Sequence, residues 1–187
     1  MGKSTLAQAL ASQLGWQVRS TDKLARHPGR PWQVAPKQVP PHVADHYLSL
    51  SPEALLADVL RHYRENVWPL VESIVRHHAM DCTMDRLIME GSALLPELVA
   101  TLTLDNVAAF WLTASDACFA RRIYKGSRYE TKSPREKRMI DQFLARTRLY
   151  NMDMMTTVKR LGLVSVDIDQ IPGVNNLADR ILSGLEM

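Results

Sequence analysis

MGKSTLAQALASQLGW, residues 1–16, joins two signals in one short run. Gly2-Lys3-Ser4-Thr5 matches the back half of a phosphate-binding loop, G-x-x-x-x-G-K-[ST]. In the complete loop successive backbone N–H groups wrap the phosphates, the lysine reaches the outer ones and the hydroxyl binds Mg2+. Leu6, Leu10 and Leu14 then recur every four residues and Gly15 follows, which predicts a helix of about three turns from Lys3 with a glycine C-cap. Such a helix start offers its own N–H groups and partial positive charge to the same anion. The front half of the loop is absent from the run, so the motif demands one more strand before Gly2. We expect the true start to lie upstream of Met1; the competing expectation is a genuinely shortened chain that has lost nucleotide binding.

Outward from this run, strands and helices alternate. WQVRSTD (16–22) reads as a short strand ending on Thr21-Asp22, and RHPGRPWQVAPKQVPPH (26–42) is too proline-rich for regular structure. Ser51-Pro52-Glu53 is a helix start, with Ser51 as N-cap and Pro52 at the first helical position. Its stripe runs through Leu55, Leu56, Val59, Leu60, Tyr63 and Val67. Pro69 is expected to break or kink the path before a second stripe at Leu70, Val71, Ile74 and Val75. RLIMEG (86–91) reads as a buried strand, and VAAFWLTA (107–114) as another whose continuous apolar character suits a strand covered on both faces.

A further helix begins at Ser115-Asp116, followed by a basic loop, YKGSRYETK (124–132). Ser133-Pro134-Arg135-Glu136 is a capping box. Behind it, apolar spacing from Met139 to Leu161 predicts one long helix ending at Gly162. LVSVDID (163–169) is a last strand, Pro172-Gly173 a turn, and Leu177, Ile181, Leu182 and Leu185 a closing helix. Alternation of this kind implies an α/β fold with a mostly parallel sheet.

The bulk properties narrow the class. A chain of 187 residues suits one domain, and 46% hydrophobic with 23% charged residues is ordinary globular composition. No apolar run approaches the roughly 18 residues of a membrane span, and Met1 leads into no basic and apolar leader, so a cytoplasmic location is expected. Cys82 and Cys118 match no zinc spacing and read as reduced thiols. A net charge of +3 suits any anionic partner.

In order and spacing the chain resembles the P-loop kinases of small molecules and nucleotides, the shikimate, gluconate and nucleoside monophosphate kinases among them. The resemblance runs from Gly2 to the C-terminal helix. It rests on GKST with its helix, a strand ending in STD, the strand LIMEG, FWLTAS followed by RRIYKGSR, the helix FLARTRLYN and the strand LVSVDID. It implies a three-layer P-loop NTPase-like domain over residues 1–187 whose central first strand is missing from this chain. Residues of about 23–80 would cover the acceptor and about 121–135 would form a lid.

The same resemblance implies a kinase using ATP and Mg2+ on a small-molecule or nucleotide acceptor. Gly2, Lys3, Ser4 and Thr5 would bind nucleotide, Ser4 with Glu90 would hold the metal, and Glu90 would also touch the substrate. Asp22 would orient or deprotonate the acceptor hydroxyl. On the lid, with Arg121 and Lys125, Arg122 would lie by the adenine and Arg128 would reach phosphate. Arg146 and Arg148 would add a phosphate contact, while Arg26 and Arg30, beside Trp32, would take an anionic acceptor. Read from the residues alone, Asp22 also fits a turn, Glu90 a strand-end acid paired with an arginine, and each arginine a solvated surface.

Two other functions stay open: a non-catalytic P-loop scaffold, favoured by the absent half-loop, and a nucleic-acid-binding P-loop protein. The second is disfavoured because basic residues cluster in one loop instead of along a stripe with interleaved aromatics. His42 and His46 have the i, i+4 spacing of a metal pair, but Pro40-Pro41 precede them and no third ligand is evident. Met152, Met154 and Met155 read as adaptable packing.

Overall fold

A computed structural model describes residues 2–33 and 38–185, so Met1 and residues 34–37 of the proline-rich stretch lie outside the described part. Helix α1 spans Lys3–Leu14, with Gly2 (φ 86°) and Gly15 (φ 69°) as its left-handed caps. Strand β1, Gln17–Ser20, leads into a 3-10 turn at Thr21–Lys23. Helices α2 (Pro41–Ser49), α3 (Pro52–His62) and α4 (Trp68–Met80) follow, then strand β2 (Leu87–Glu90) and the single turn α5 (Pro96–Val99). The chain continues through β3 (Trp111–Thr113), α6 (Asp116–Ser127), α7 (Pro134–Arg160), β4 (Ser165–Asp167) and α8 (Val174–Leu185).

The strands form two separate parallel pairs instead of one sheet. In the first, Gln17 pairs with Leu87 and Ser20 with Glu90; in the second, Trp111 pairs with Ser165 and Thr113 with Asp167. Both pairs lie beneath the same two helices. Leu6, Leu10, Leu177, Ala178 and Ile181 of α1 and α8 form one buried cluster that receives Ile88 of β2, Leu112 of β3 and Val166 of β4. The alternate residues face the other way, Met89 toward Val67, Trp68 and Val71, and Trp111 toward Met154 and Val158 of α7. Strands β2 and β3 are therefore covered on both sides, which is why they read as apolar runs, whereas β1 and β4 keep exposed polar residues. The apolar run at 107–114 yields only three ladder residues, because β3 has a ladder with β4 alone.

Capping follows side-chain chemistry. Ser51 Oγ accepts from the Ala54 amide and Ser115 Oγ from the Cys118 amide. Ser133 Oγ accepts from the Glu136 amide at 3.3 Å, while Glu136 Oε2 accepts from the Ser133 amide at 3.0 Å. Four expectations are corrected. Helix α2 begins at Pro41, inside the stretch read as irregular, because proline presets the first helical position and Val43, Ala44 and Tyr47 bury one face. The expected basic loop is helical through Ser127, where Ser127 is buried and the Tyr124 and Tyr129 hydroxyls both donate to Asp141.

Of the expected break or kink at Pro69, the break does not occur: the helical path continues through a π turn at Tyr63–Val67 just before it, with the Trp68 amide donating to the Tyr63 carbonyl. Leu70 is 44% exposed while Val71 is fully buried, and Met152 is 64% exposed while Met154 is buried, so only the second member of each pair packs. Cys82 and Cys118 are free thiols. Among the described residues no helix is long and apolar enough to cross a membrane.

Candidate active site

The N-terminus of α1 and the C-terminal ends of β1 and β2 meet at one place. Ser4, in the first turn of α1, donates its hydroxyl to Glu90 Oε1 at 3.1 Å, joining the helix to the last residue of β2. Glu90 is buried and carries its carboxylate at the only strand end that Ser4 touches through a hydrogen bond among the described residues. Lys3 stands beside them, half-buried. Burial lowers the pKa of its ammonium; the negative charges of Asp22 and Glu90 oppose that shift, and the Arg30 guanidinium adds to it. Three sequence-predicted residues from other segments thus act on Lys3: Asp22, Arg30 and Glu90.

Gly2 closes the constellation. Its left-handed backbone suits glycine, and an added Cβ would lie 3.2 Å from Arg122 Nη1, so the guanidinium from α6 lies against the start of α1. The Gly2 carbonyl accepts the Leu6 amide at 2.9 Å, fixing the first turn. Thr5 is exposed on that turn.

Gly91 and Thr21 hold the two strand ends together. An ideal Cβ at Gly91 would lie 1.8 Å from Thr21 Oγ1 and 2.8 Å from Thr21 Cβ. The close approach that the glycine permits is thus to Thr21. Thr21 Oγ1 is buried without a hydrogen-bond partner in the structure. The adjacent Asp22 lines an open cavity of about 640 Å³ with Arg26, His27 and His42.

Other predicted residues are committed elsewhere or lie apart. Arg146 of α7 donates through Nη1 to Tyr47 Oη at 3.2 Å and lies 4.6 Å from the Phe143 ring centre. Its charge nonetheless reaches Tyr63, whose phenol is pushed up by burial and is also influenced by Asp22. Arg148 pairs with Asp116 at 3.6 Å. Arg128 is the exposed left-handed C-cap of α6, at φ 55°. Arg30 stacks 5.8 Å from the Trp32 ring, which meets Phe143 edge-on.

Sequence reasoning missed two features. Thr21, inside STD, is defined only by its long-range contact with Gly91. Tyr47 is fully buried, donates its hydroxyl to the Gly29 carbonyl and so anchors the RHPGR loop, with its phenol pushed up to about 12 chiefly by burial. Its helix carried no capping signal beyond proline. Comparison with protein-family models, curated proteins and solved structures found no match.

Proposed function

We propose that the chain is a kinase that moves the γ-phosphoryl group of ATP, with Mg2+, to a small-molecule or nucleotide acceptor. The observation that carries this reading is the Ser4–Glu90 contact at the foot of α1, with Lys3 beside the carboxylates of Glu90 and Asp22. A hydroxyl and a carboxylate are hard oxygen donors of the kind Mg2+ takes, and they leave room in its shell for water and phosphate oxygens. The metal, when bound, spreads the negative charge of the phosphates.

The protein's own residues divide the remaining work. Lys3 supplies a positive point charge that is partly withdrawn from water, so its attraction for phosphate is stronger than at an exposed site. Asp22 accepts a hydrogen bond from the acceptor hydroxyl and aims its oxygen. Arg30 and Arg26 suit an anionic acceptor in the cavity beside Asp22. Arg122, against Gly2, adds a planar guanidinium where nucleotide would enter.

One observation favours the scaffold alternative: within the described residues, the amide cradle is confined to the first turn of α1. Calorimetric titration of MgATP into the protein and a Lys3→Ala variant separates the two readings. Binding by the protein that Lys3→Ala abolishes supports the kinase. No heat from either overturns it and leaves the scaffold.

A further inference from the structure

Three ligating side chains that phosphoryl transfer does not use converge beneath the cover helices. His27 comes from the loop after β1, His46 from α2 and Asp58 from α3. His27 Nε2 lies 3.5 Å and His46 Nε2 3.9 Å from Asp58 Oδ2. One ligand atom from each of the three lies within 4.8 Å of the others. The two imidazole side chains are only 13% and 12% exposed, and both Nε2 atoms are buried with no hydrogen-bond partner.

These separations are too long for hydrogen bonds, which close at about 2.7–3.2 Å. The shorter is close to another geometry, and the longer exceeds it by about half an ångström. A tetrahedral ion with bonds of about 2.1 Å spaces its ligand atoms about 3.4 Å apart. We propose that His27, His46 and Asp58 bind a zinc-class divalent ion through Nε2, Nε2 and Oδ2, with water completing the shell.

The chemistry of the surroundings fits that donor set. Coordination needs neutral imidazoles. Burial, helped by His62, Arg146 and His46, lowers His27 to about 4, against the pull of Asp58. Burial likewise lowers His46, with Asp58 opposing and Arg146 assisting. Asp58 gives its other oxygen, Oδ1, to Arg61, so Oδ2 is the atom that faces the histidines. The positive charge of Arg146 opposes a cation, and its donation to Tyr47 Oη directs it to the neighbouring phenol. The Gly29 amide donates to His27 Nδ1 at 3.4 Å, which puts the proton of the neutral ring on Nε2; binding the ion through Nε2 moves that proton to Nδ1 and gives up this long hydrogen bond. Two nitrogens and one oxygen select a borderline ion over Mg2+ or Ca2+, which prefer oxygen alone.

The ion would tie three segments distant in sequence, and would fix the loop bearing Arg26 and Arg30 against α2 and α3. This inference is independent of the kinase reading, since it requires neither ATP nor turnover. The test uses the full, tag-free chain stripped with a chelator. Co2+ is titrated with visible spectroscopy and Zn2+ by calorimetry, with circular dichroism to establish that the stripped chain is folded. Expected are one equivalent of each ion, the intense d–d bands of four-coordinate Co2+, and a Zn2+-dependent rise in Tm. His27→Gln, His46→Gln and Asp58→Asn should each lose these signals, while His42→Gln and His78→Gln keep them. If a histidine variant fails to fold, Asp58→Asn, which keeps size and shape, decides the matter. Weak octahedral Co2+ spectra, or binding unchanged in folded ligand variants, would overturn the proposal.

Discussion

Thr21 Oγ1 fills the space that a side chain at Gly91 would need, 1.8 Å from the ideal Cβ position. The contact locks the end of β1 to the end of β2, and the residues either side of it are Asp22 and Glu90. Gly91→Ala must therefore push the strand ends apart. We expect a loss of about 1–3 kcal/mol, the range of core overpacking, read from urea denaturation. MgATP affinity should fall with it, because Glu90 would no longer meet Ser4. Unchanged stability would mean that the Thr21 side chain turns aside at no cost.

Lys3 offers a case in which function and stability oppose each other. Burial disfavours its charge despite Asp22 and Glu90, and a well-packed apolar group in place of a buried charge is often neutral or stabilising. Lys3→Met should leave Tm unchanged or raised while removing nucleotide binding. A lowered Tm would show that the lysine is there for the fold.

The pH dependence has a definite sign. The pKa of Lys3 is lowered from the ordinary 10.5, so the neutral form appears at a lower pH than for an exposed lysine. Between the lowered value and 10.5 the unfolded chain binds the extra proton, and the contribution of this group to stability rises with pH. Affinity for a polyphosphate falls over the same window. Titrations of MgATP from neutral to alkaline pH, paired with denaturation curves, should show the two trends diverging, and Lys3→Met should abolish both.

Tyr47 links Arg146 to the Gly29 carbonyl across three elements. Tyr47→Phe keeps the ring packing and removes both hydrogen bonds, leaving a carbonyl unpaired. A loss of about 1–2 kcal/mol is expected, visible in chemical denaturation without loss of helical circular dichroism.

At the head of the longest helix, Ser133→Ala removes the Oγ that caps the Glu136 amide, leaving the backbone amide of residue 133 bonded to Glu136, and should cost about 1 kcal/mol. A change near zero would assign that helix start to Pro134 and tertiary packing alone.

Local chemistry accounts for what the chain made legible. Helix starts at Ser51, Ser115 and Ser133 were readable because a hydroxyl and the amides it caps lie within three residues. The GKST run similarly fixed the start of α1. Pairing was harder: a run such as VAAFWLTA announces burial on both faces but not how many of its residues find a ladder partner, and only three do. Tyr124–Ser127 looked like loop because of its charge and glycine, yet the two tyrosines that share Asp141 are brought to it by tertiary folding. The His27, His46 and Asp58 group was invisible for the same reason. The spacing of His42 and His46 along one helix drew attention to His46 but not to His27 and Asp58, which the fold brings beside it.

The π turn at Tyr63–Val67 makes chain length itself a structural determinant. One additional residue in that turn carries the peptide past Pro69, whose ring would clash with the carbonyl four positions earlier in a regular helix. Each residue of an α-helix contributes about 100° of rotation. Removing a single residue here would therefore turn everything downstream by that angle, swinging Trp68 and Val71 out of the core and the exposed Leu70 toward a new direction. Side-chain substitutions in the turn leave that phase intact, so this short segment tolerates changes of identity far better than a change of count.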